Sequence, residues 1–228
     1  MIRGVLFDLD GTLLDSAPDL VGALNHVREA EGLAPLAVGP LRHHVSRGAR
    51  GLVDQGLPRG DEAAQEARVS RFLEHYRQHS FEASSLFPGV DELLEGLAQR
   101  GIPWGLVTNK IEGLTHPILR AAGLSSRVGC VICGDTIRWK KPHPEPVRLA
   151  CELLGVPPAA TVFVGDDPRD IESGRAAGTL TAVAGYGYIA PGEQPASWAG
   201  AEWLDDPLSL LAWIDARTSA GESGGAGA

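Results

Sequence analysis

The sequence predicts an α/β protein, a Rossmann-like parallel-sheet core that carries a small inserted α-helical cap. Three observations lead there. From Pro88-Gly89 onward, short apolar runs alternate with segments of helical periodicity, and such alternation builds a parallel sheet with right-handed crossovers. Between Ser16 and Ser85 helical spacing recurs without a strand signal, which marks an insertion. Before it, Val5-Leu6-Phe7 is a continuous apolar run, as in a parallel strand covered on both faces. The core is therefore assigned to residues 1–15 and 86–217 and the cap to residues 16–85. Residues 218–228, rich in Gly, Ser and Ala, have no core to join and are expected to be disordered.

Each element has its own signal. Ser16 is placed to cap the first cap helix, with Pro18 in its first turn, Leu20, Ala23, Leu24 and Val27 at helical spacing, and Gly32 at its end. A second helical segment runs through Leu41, Val45, Ala49, Leu52 and Val53, and a third from Asp61 to His79. In the core, the spacing predicts helix from Val90 to Arg100, strand from Ile102 to Thr108, helix from Glu112 to Ala122 and strand from Val128 to Cys133. Helix from Glu145 to Leu154, strand from Thr161 to Gly165, helix from Arg169 to Ala177 and strand from Leu180 to Ala184 follow. Ala201 to Leu204 adds an edge strand and Leu208 to Ile214 a last helix.

The 228 residues can bury a good core, as one domain or two. A formal net charge of −9 argues against nucleic acid or an anionic membrane as partner, because either needs a concentrated basic face. No apolar run is long enough to span a bilayer. The first strand begins almost at the N-terminus, leaving no room for a cleaved signal peptide. A cytoplasmic protein is expected, a monomer or weak homodimer. The three cysteines, Cys130, Cys133 and Cys151, cannot all pair within one chain. Gly129-Cys130-Val131-Ile132-Cys133-Gly134 reads as a buried strand, so they are taken as structural thiols.

The chemistry gathers at strand ends. Asp8 and Asp10 project to the same side of extended chain, and Gly11 lets the backbone turn sharply after them. Two carboxylates so close repel unless a cation or proton stands between them, so a divalent metal is implied. An Asp-x-Asp-Gly stretch can also be a solvated turn or a calcium loop, but an EF-hand needs further oxygen ligands, a closing glutamate and helices on both sides. Thr108-Asn109-Lys110 ends a second strand, where a lone Thr usually caps a helix. Lys141-Pro142-His143-Pro144 is otherwise a solvated lysine in a proline turn. Asp166, Asp167 and Asp170 follow Gly165, and acidic residues also favour a helix N-terminus.

These four stretches together resemble the signatures of the haloacid dehalogenase superfamily, in its phosphatase and phosphomutase branch. The resemblance covers nearly the whole chain. It implies that Asp8 is the nucleophile, that Asp10 is the general acid and base, and that Mg2+ is bound by Asp8, the main-chain carbonyl of Asp10 and Asp166. Asp170 would be an outer acidic partner of metal-bound water or Lys141. Thr108 would donate to a phosphate oxygen, and Lys141 would neutralise both the nucleophile and the phosphoryl group. Gly11, Thr12 and Asn109 would contribute to phosphate binding, while Asp167 and His143 receive no role.

The insertion resembles a C1 cap. Its segment Val45-Ser46-Arg47-Gly48-Ala49-Arg50-Gly51-Leu52-Val53 is similar to the specificity loop of phosphoglycolate phosphatase-like enzymes, which makes Arg50, and less regularly Arg47, a substrate-binding residue. Further identities, among them Trp104-Gly-x-Val107-Thr-Asn-Lys110 and Gly185-Tyr-Gly-Tyr-Ile-x-Pro191 with Trp198 beyond, resemble bacterial N-acetylmuramic acid 6-phosphate phosphatases. The implied activity is hydrolysis of a small acidic phosphate ester through an aspartyl phosphate. The alternatives are 2-phosphoglycolate as substrate, a β-phosphoglucomutase-like isomerase and a non-catalytic phosphate-binding module.

Overall fold

The computed structural model describes residues 1–190, 198 and 200–223, the last six as helix backbone alone. The chain enters by Gly4–Phe7 (β1) and, after a tight turn, forms Leu14–Asp15 (β2). Four helices follow without a strand: Ala17–Ala30 (α1), Val38–Leu41 (α2), Gly48–Gly56 (α3) and Glu62–His79 (α4). Ser85–Leu86 (β3) leads back to Val90–Gln99 (α5), Trp104–Val107 (β4), Glu112–Ala121 (α6), Cys130–Ile132 (β5) and Glu145–Leu154 (α7). Thr161–Gly165 (β6), Pro168–Ala177 (α8), Leu180–Ala184 (β7), Glu202–Leu204 (β8) and Ser209–Ser223 (α9) complete it.

The main sheet has the order β5-β4-β1-β6-β7-β8, every neighbouring pair parallel. Strand β1 is central, with Leu6 level with Gly105 on one side and Phe163 on the other. All four of its residues are buried, because helices cover both faces. From β1 the chain builds outward through β4 and β5, then crosses back to β6. The switch in strand order therefore falls at the carboxyl ends of β1, β4 and β6, where open α/β sheets bind ligands.

Strands β2 and β3 form a separate antiparallel pair, Leu14 opposite Leu86 and Asp15 opposite Ser85, through which the chain leaves and re-enters the core. The Asp19 carboxylate in α1 fastens the return. It accepts backbone N–H bonds from Glu82 at 3.0 Å, Ala83 at 2.8 Å and Ser84 at 3.0 Å. Above this neck α1 packs on α4, burying Leu24, Val27, Phe72 and Tyr76. Each such side chain contributes roughly 1.5–3 kcal/mol by leaving water.

Two expectations are corrected. The second cap segment is not one helix: α2 ends at Leu41, a 3₁₀ stretch runs Arg42–Arg47, and α3 starts at Gly48. Gly48 has φ +72°, a left-handed value that glycine adopts without strain and that breaks the helical repeat there. The last helix continues past Ile214 to Ser223, so residues 218–223 of the expected tail are helical. Residues 224–228 of that tail, and Pro191, lie outside the described residues.

Candidate active site

Three strands deliver the site from their carboxyl ends. Asp8 follows β1, Thr108 follows β4 and Asp166 follows β6. The ladder still holds the first two, since Asp8 N–H donates to Val164 O and Thr108 N–H to Ile132 O, both at 2.9 Å. Asp170 comes from the first turn of α8 and Lys141 from the loop after β5. Lys141 Nζ joins them, 2.7 Å from Asp8 Oδ1 and 2.7 Å from Asp170 Oδ1. It also donates to Val107 O at 2.8 Å. The two carboxylate contacts are close ion pairs without an aligned hydrogen bond.

Asp8, Asp166 and Asp170 each hold a carboxylate oxygen within 4.8 Å of the others. Burial pushes the Asp166 carboxyl well above the ordinary range, the Asp8 and Asp170 carboxylates push it the same way, and the Tyr188 N–H opposes them only in part. Burial also raises Asp170, to about 7, against the pull of Lys141. Burial alone would lower Lys141, but the Asp170 and Asp8 carboxylates outweigh it and hold the ammonium charged. Three ionised carboxylates against one ammonium would leave two negative charges uncompensated. An all-oxygen donor set with that excess fits a hard divalent cation.

Asp8, Asp170 and Lys141 lie at the floor of a cavity of about 400 Å³ between core and cap. Thr108, Asn109 and Lys110 line its core side, and Ser46, Arg47, Phe72 and Tyr76 its cap side. The model of the haloacid dehalogenase-like hydrolases matches residues 5–184, from β1 to the end of β7. The chain belongs to the haloacid dehalogenase-like hydrolases. An N-acetylmuramic acid 6-phosphate phosphatase of Pseudomonas aeruginosa is 41% identical over 215 residues, 94% of this chain and 95% of its own. A phosphoglycolate phosphatase of Xylella fastidiosa is 42% identical over 208 residues, 91% of each chain. Among solved structures, a predicted phosphoglycolate phosphatase from Haemophilus somnus matches with a TM-score of 0.82 at 28% identity, covering 93% of this chain and 98% of that one. This haloacid dehalogenase-like hydrolase is a phosphoric monoester hydrolase.

Several residues expected to touch substrate support the hydrolase's site from behind. Gly11 has φ +84°, and a Cβ there would lie 2.1 Å from Asp166 Oδ2, so glycine lets that carboxylate approach. Thr12 is buried and its Oγ1 donates to Asp166 Oδ1 at 3.2 Å. Neither lines the cavity, and their N–H groups serve the turn, Gly11 to Leu14 O and Thr12 to Leu9 O. Asn109 lines the cavity, yet its amide is spent on Lys141, with Nδ2 donating to Lys141 O and Oδ1 accepting from Lys141 N–H, both at 3.0 Å. Thr108 Oγ1 accepts from Lys110 N–H at 3.2 Å, which leaves the hydroxyl hydrogen free to donate into the cavity.

The cap arginines exchange places with the expectation. Arg50 is outside the cavity, bidentate to Glu62 at 2.9 and 3.0 Å and in contact with Asp54. It staples α3 to the start of α4. Arg47 lines the cavity, and no ion pair or hydrogen bond engages its guanidinium among the described residues. Asp167 is the N-cap of α8, accepting from Arg169 N–H, while Asp170 accepts from Asp167 N–H in return. His143 stacks on Trp139 with centroids 4.1 Å apart and does not line the cavity.

Four residues escaped the sequence reading. Lys110 Nζ contacts Asp10 Oδ1 at 2.8 Å and donates to Tyr76 OH at 2.8 Å, so the Asp10 carboxylate faces an ammonium and stands apart from the three clustered carboxylates. Arg169 holds Asp167 and reaches Ser46 O in the cap at 2.5 Å. Tyr188 N–H donates to Asp166 Oδ2 at 3.0 Å. Lys110, Arg169 and Tyr188 lie within stretches that carry the resemblance but receive no role from it, whereas Tyr76 carries only the signal of a buried aromatic with a polar tip.

Proposed function

We propose that this phosphatase hydrolyses a carboxylated sugar phosphate, N-acetylmuramic acid 6-phosphate, through a phosphorylated Asp8. The observation that carries the reading is the cavity above Asp8. At about 400 Å³ it falls within the range of roughly 300–1,000 Å³ over which pockets enclose ligands of drug size, more room than a two-carbon acid needs. Its lining includes the apolar Leu20, Phe72, Leu73 and Leu114, which suit methyl groups, and Arg47 offers a planar fork to a carboxylate. The name of the Pseudomonas aeruginosa relative supports the same substrate. The Xylella fastidiosa relative supports 2-phosphoglycolate, which also carries a carboxylate.

Asp8, with its carboxylate at the strand end and Lys141 alongside, attacks phosphorus in line. Lys141 and the Thr108 hydroxyl stabilise charge gathering on the phosphoryl oxygens. Asp10 gives its proton to the departing alkoxide and later takes one from the water that cleaves the aspartyl phosphate. Asp8, Asp166 and the Asp10 carbonyl, with Asp170 beside them, would hold Mg2+, which when bound would supply further charge neutralisation at the phosphate. The cap, residues 16–85, covers the cavity and keeps bulk water from the intermediate. The cavity is completed within one chain, which fits a monomer or weak homodimer. Among the described residues no helix is long and apolar enough to cross a membrane, and we place the reaction in the cytoplasm.

The test is kcat/KM for N-acetylmuramic acid 6-phosphate against 2-phosphoglycolate with purified enzyme and magnesium. A clear preference for the sugar phosphate is expected. A large preference for 2-phosphoglycolate would overturn the substrate and leave the phosphatase chemistry standing.

A further inference from the structure

Asp10 does not stand alone. Its Oδ1 lies 2.8 Å from Lys110 Nζ, the same ammonium donates to Tyr76 OH at 2.8 Å, and the ammonium sits 4.8 Å from the centre of the Tyr76 ring. Tyr76 is a cap residue, deep in α4 and almost wholly buried, whereas Asp10 and Lys110 belong to the loops after β1 and β4. The main chain at Lys110 is anchored in the core. Its N–H donates to Thr108 Oγ1 at 3.2 Å and its carbonyl accepts from Gly134 N–H at 2.8 Å. A single lysine thus bridges the acid and base of the core to a hydroxyl supplied by the cap. Among the described residues that line the cavity, Tyr76 is the cap side chain that contacts a group paired with Asp10.

We propose that Lys110 is a positioning residue for Asp10, and that Tyr76 makes this positioning depend on the cap being seated. With the cap in place, the ammonium is fixed between two oxygens and holds the Asp10 carboxyl group where it can meet the leaving oxygen. When the cap lifts, Tyr76 leaves, the lysine side chain gains rotamers, and Asp10 loses its orientation. Proton transfer to the leaving alkoxide is thereby confined to the closed, water-poor state. The proposal rests on the phosphatase reading above, because it needs Asp10 to be the proton donor.

The experiment separates leaving groups. An alkoxide needs a proton as it departs, while p-nitrophenolate leaves without one, so a displaced Asp10 slows the first far more than the second. Single-turnover formation of the phosphorylated enzyme is measured with a sugar phosphate and with p-nitrophenyl phosphate for wild type, Lys110→Met and Tyr76→Phe. Turnover of p-nitrophenyl phosphate by wild type checks the underlying reading independently. For Lys110→Met, the rate with the sugar phosphate is expected to fall about a hundredfold further than with the aryl ester, with KM changing much less than kcat. Tyr76→Phe, which keeps the packing of the ring, is expected to show the same selective loss to a smaller degree. Equal losses on both esters in both variants would overturn the proposal, and so would a rise in KM alone, which would make Lys110 a substrate-binding cation. If Lys110→Met does not fold, Tyr76→Phe decides by the same two criteria.

Discussion

At the residue scale, the structure separates two cations of similar appearance by where they sit. Arg47 and Arg50 are three positions apart in one glycine-rich segment. Arg50 is held by Glu62 and Asp54, whereas Arg47 faces the cavity with its guanidinium unengaged among the described residues. A charge-assisted hydrogen bond to substrate is worth about 1.5–3 kcal/mol. Arg47→Ala should therefore lower kcat/KM for the carboxylated substrate roughly tenfold to a hundredfold while changing p-nitrophenyl phosphate hydrolysis little. Arg50→Ala should leave the ratio between the two substrates unaltered, as steady-state kinetics on the purified variants will check. The sequence could not make this distinction. Which face of the cap a residue occupies depends on the 3₁₀ stretch and on the left-handed Gly48, and the helical pattern ran through both as if continuous. Asp8 and Asp166 were legible because each follows an apolar run whose end the sheet must place at the switch point, and Lys141 because the prolines after it fix its place in the Lys141-Pro142-His143-Pro144 stretch. The signatures gave their order. Thr12 and Asn109 were legible as members of the site but not in their function, because a side chain turned inward toward Asp166 or Lys141 reads the same in sequence as one turned toward substrate.

At the scale of elements, the contact of α1 with α4 carries a feature that composition hides. His26 from α1 stacks on His75 from α4 with centroids 4.1 Å apart, and His75 stacks on His79 at 4.3 Å. Glu82, bonded to His79 Nδ1 at 3.0 Å, and Arg71 and Glu74 of α4 surround the group. Partial burial lowers the proton affinity of His75 and the two neighbouring imidazoles lower it further, with Glu82 opposing. A base whose affinity is lower in the folded state than in the unfolded one binds more protons on unfolding. Its stabilising effect is intact above the ordinary histidine value of about 6.5 and is lost as pH falls below it. Urea unfolding followed at about pH 7.5 and about pH 5.5 should show a drop in midpoint that is smaller for His75→Gln than for wild type. An equal drop in both would show that the stack does not contribute. In the core, element types and order were legible, because the alternation of apolar runs with helical spacing is set by burial in the sheet, whereas the short β2–β3 pair and the 3₁₀ stretch of the cap were not. Boundaries moved by a residue or two, and the final helix ran on to Ser223 because its backbone bonds extend past the last apolar residue that could be read as core.

At the scale of the whole molecule, two bodies meet over one cavity. The core supplies Asp8, Asp166, Asp170 and Lys141 from strand ends, and the cap supplies Tyr76 and Arg47 across from them. The neck between the bodies is the paired β2 and β3, with Asp19 fastening the return loop. What the sequence concealed lies mostly across that gap. Lys110 meets Tyr76 from 34 positions away and Arg169 meets Ser46 from 123 away, and such pairings exist only once the cap has docked. Phosphoryl transfer to Asp8 in this cavity does not depend on which ester enters it. Acid quenching of the enzyme during turnover of a sugar phosphate, followed by mass mapping of the peptides, tests it directly. A phosphoryl group is expected on the peptide carrying Asp8 and absent from Asp8→Asn, which should fold normally and release no phosphate. Undiminished phosphate release by a folded Asp8→Asn protein, with no phosphorylated peptide at any time of quenching, would contradict phosphoryl transfer to Asp8.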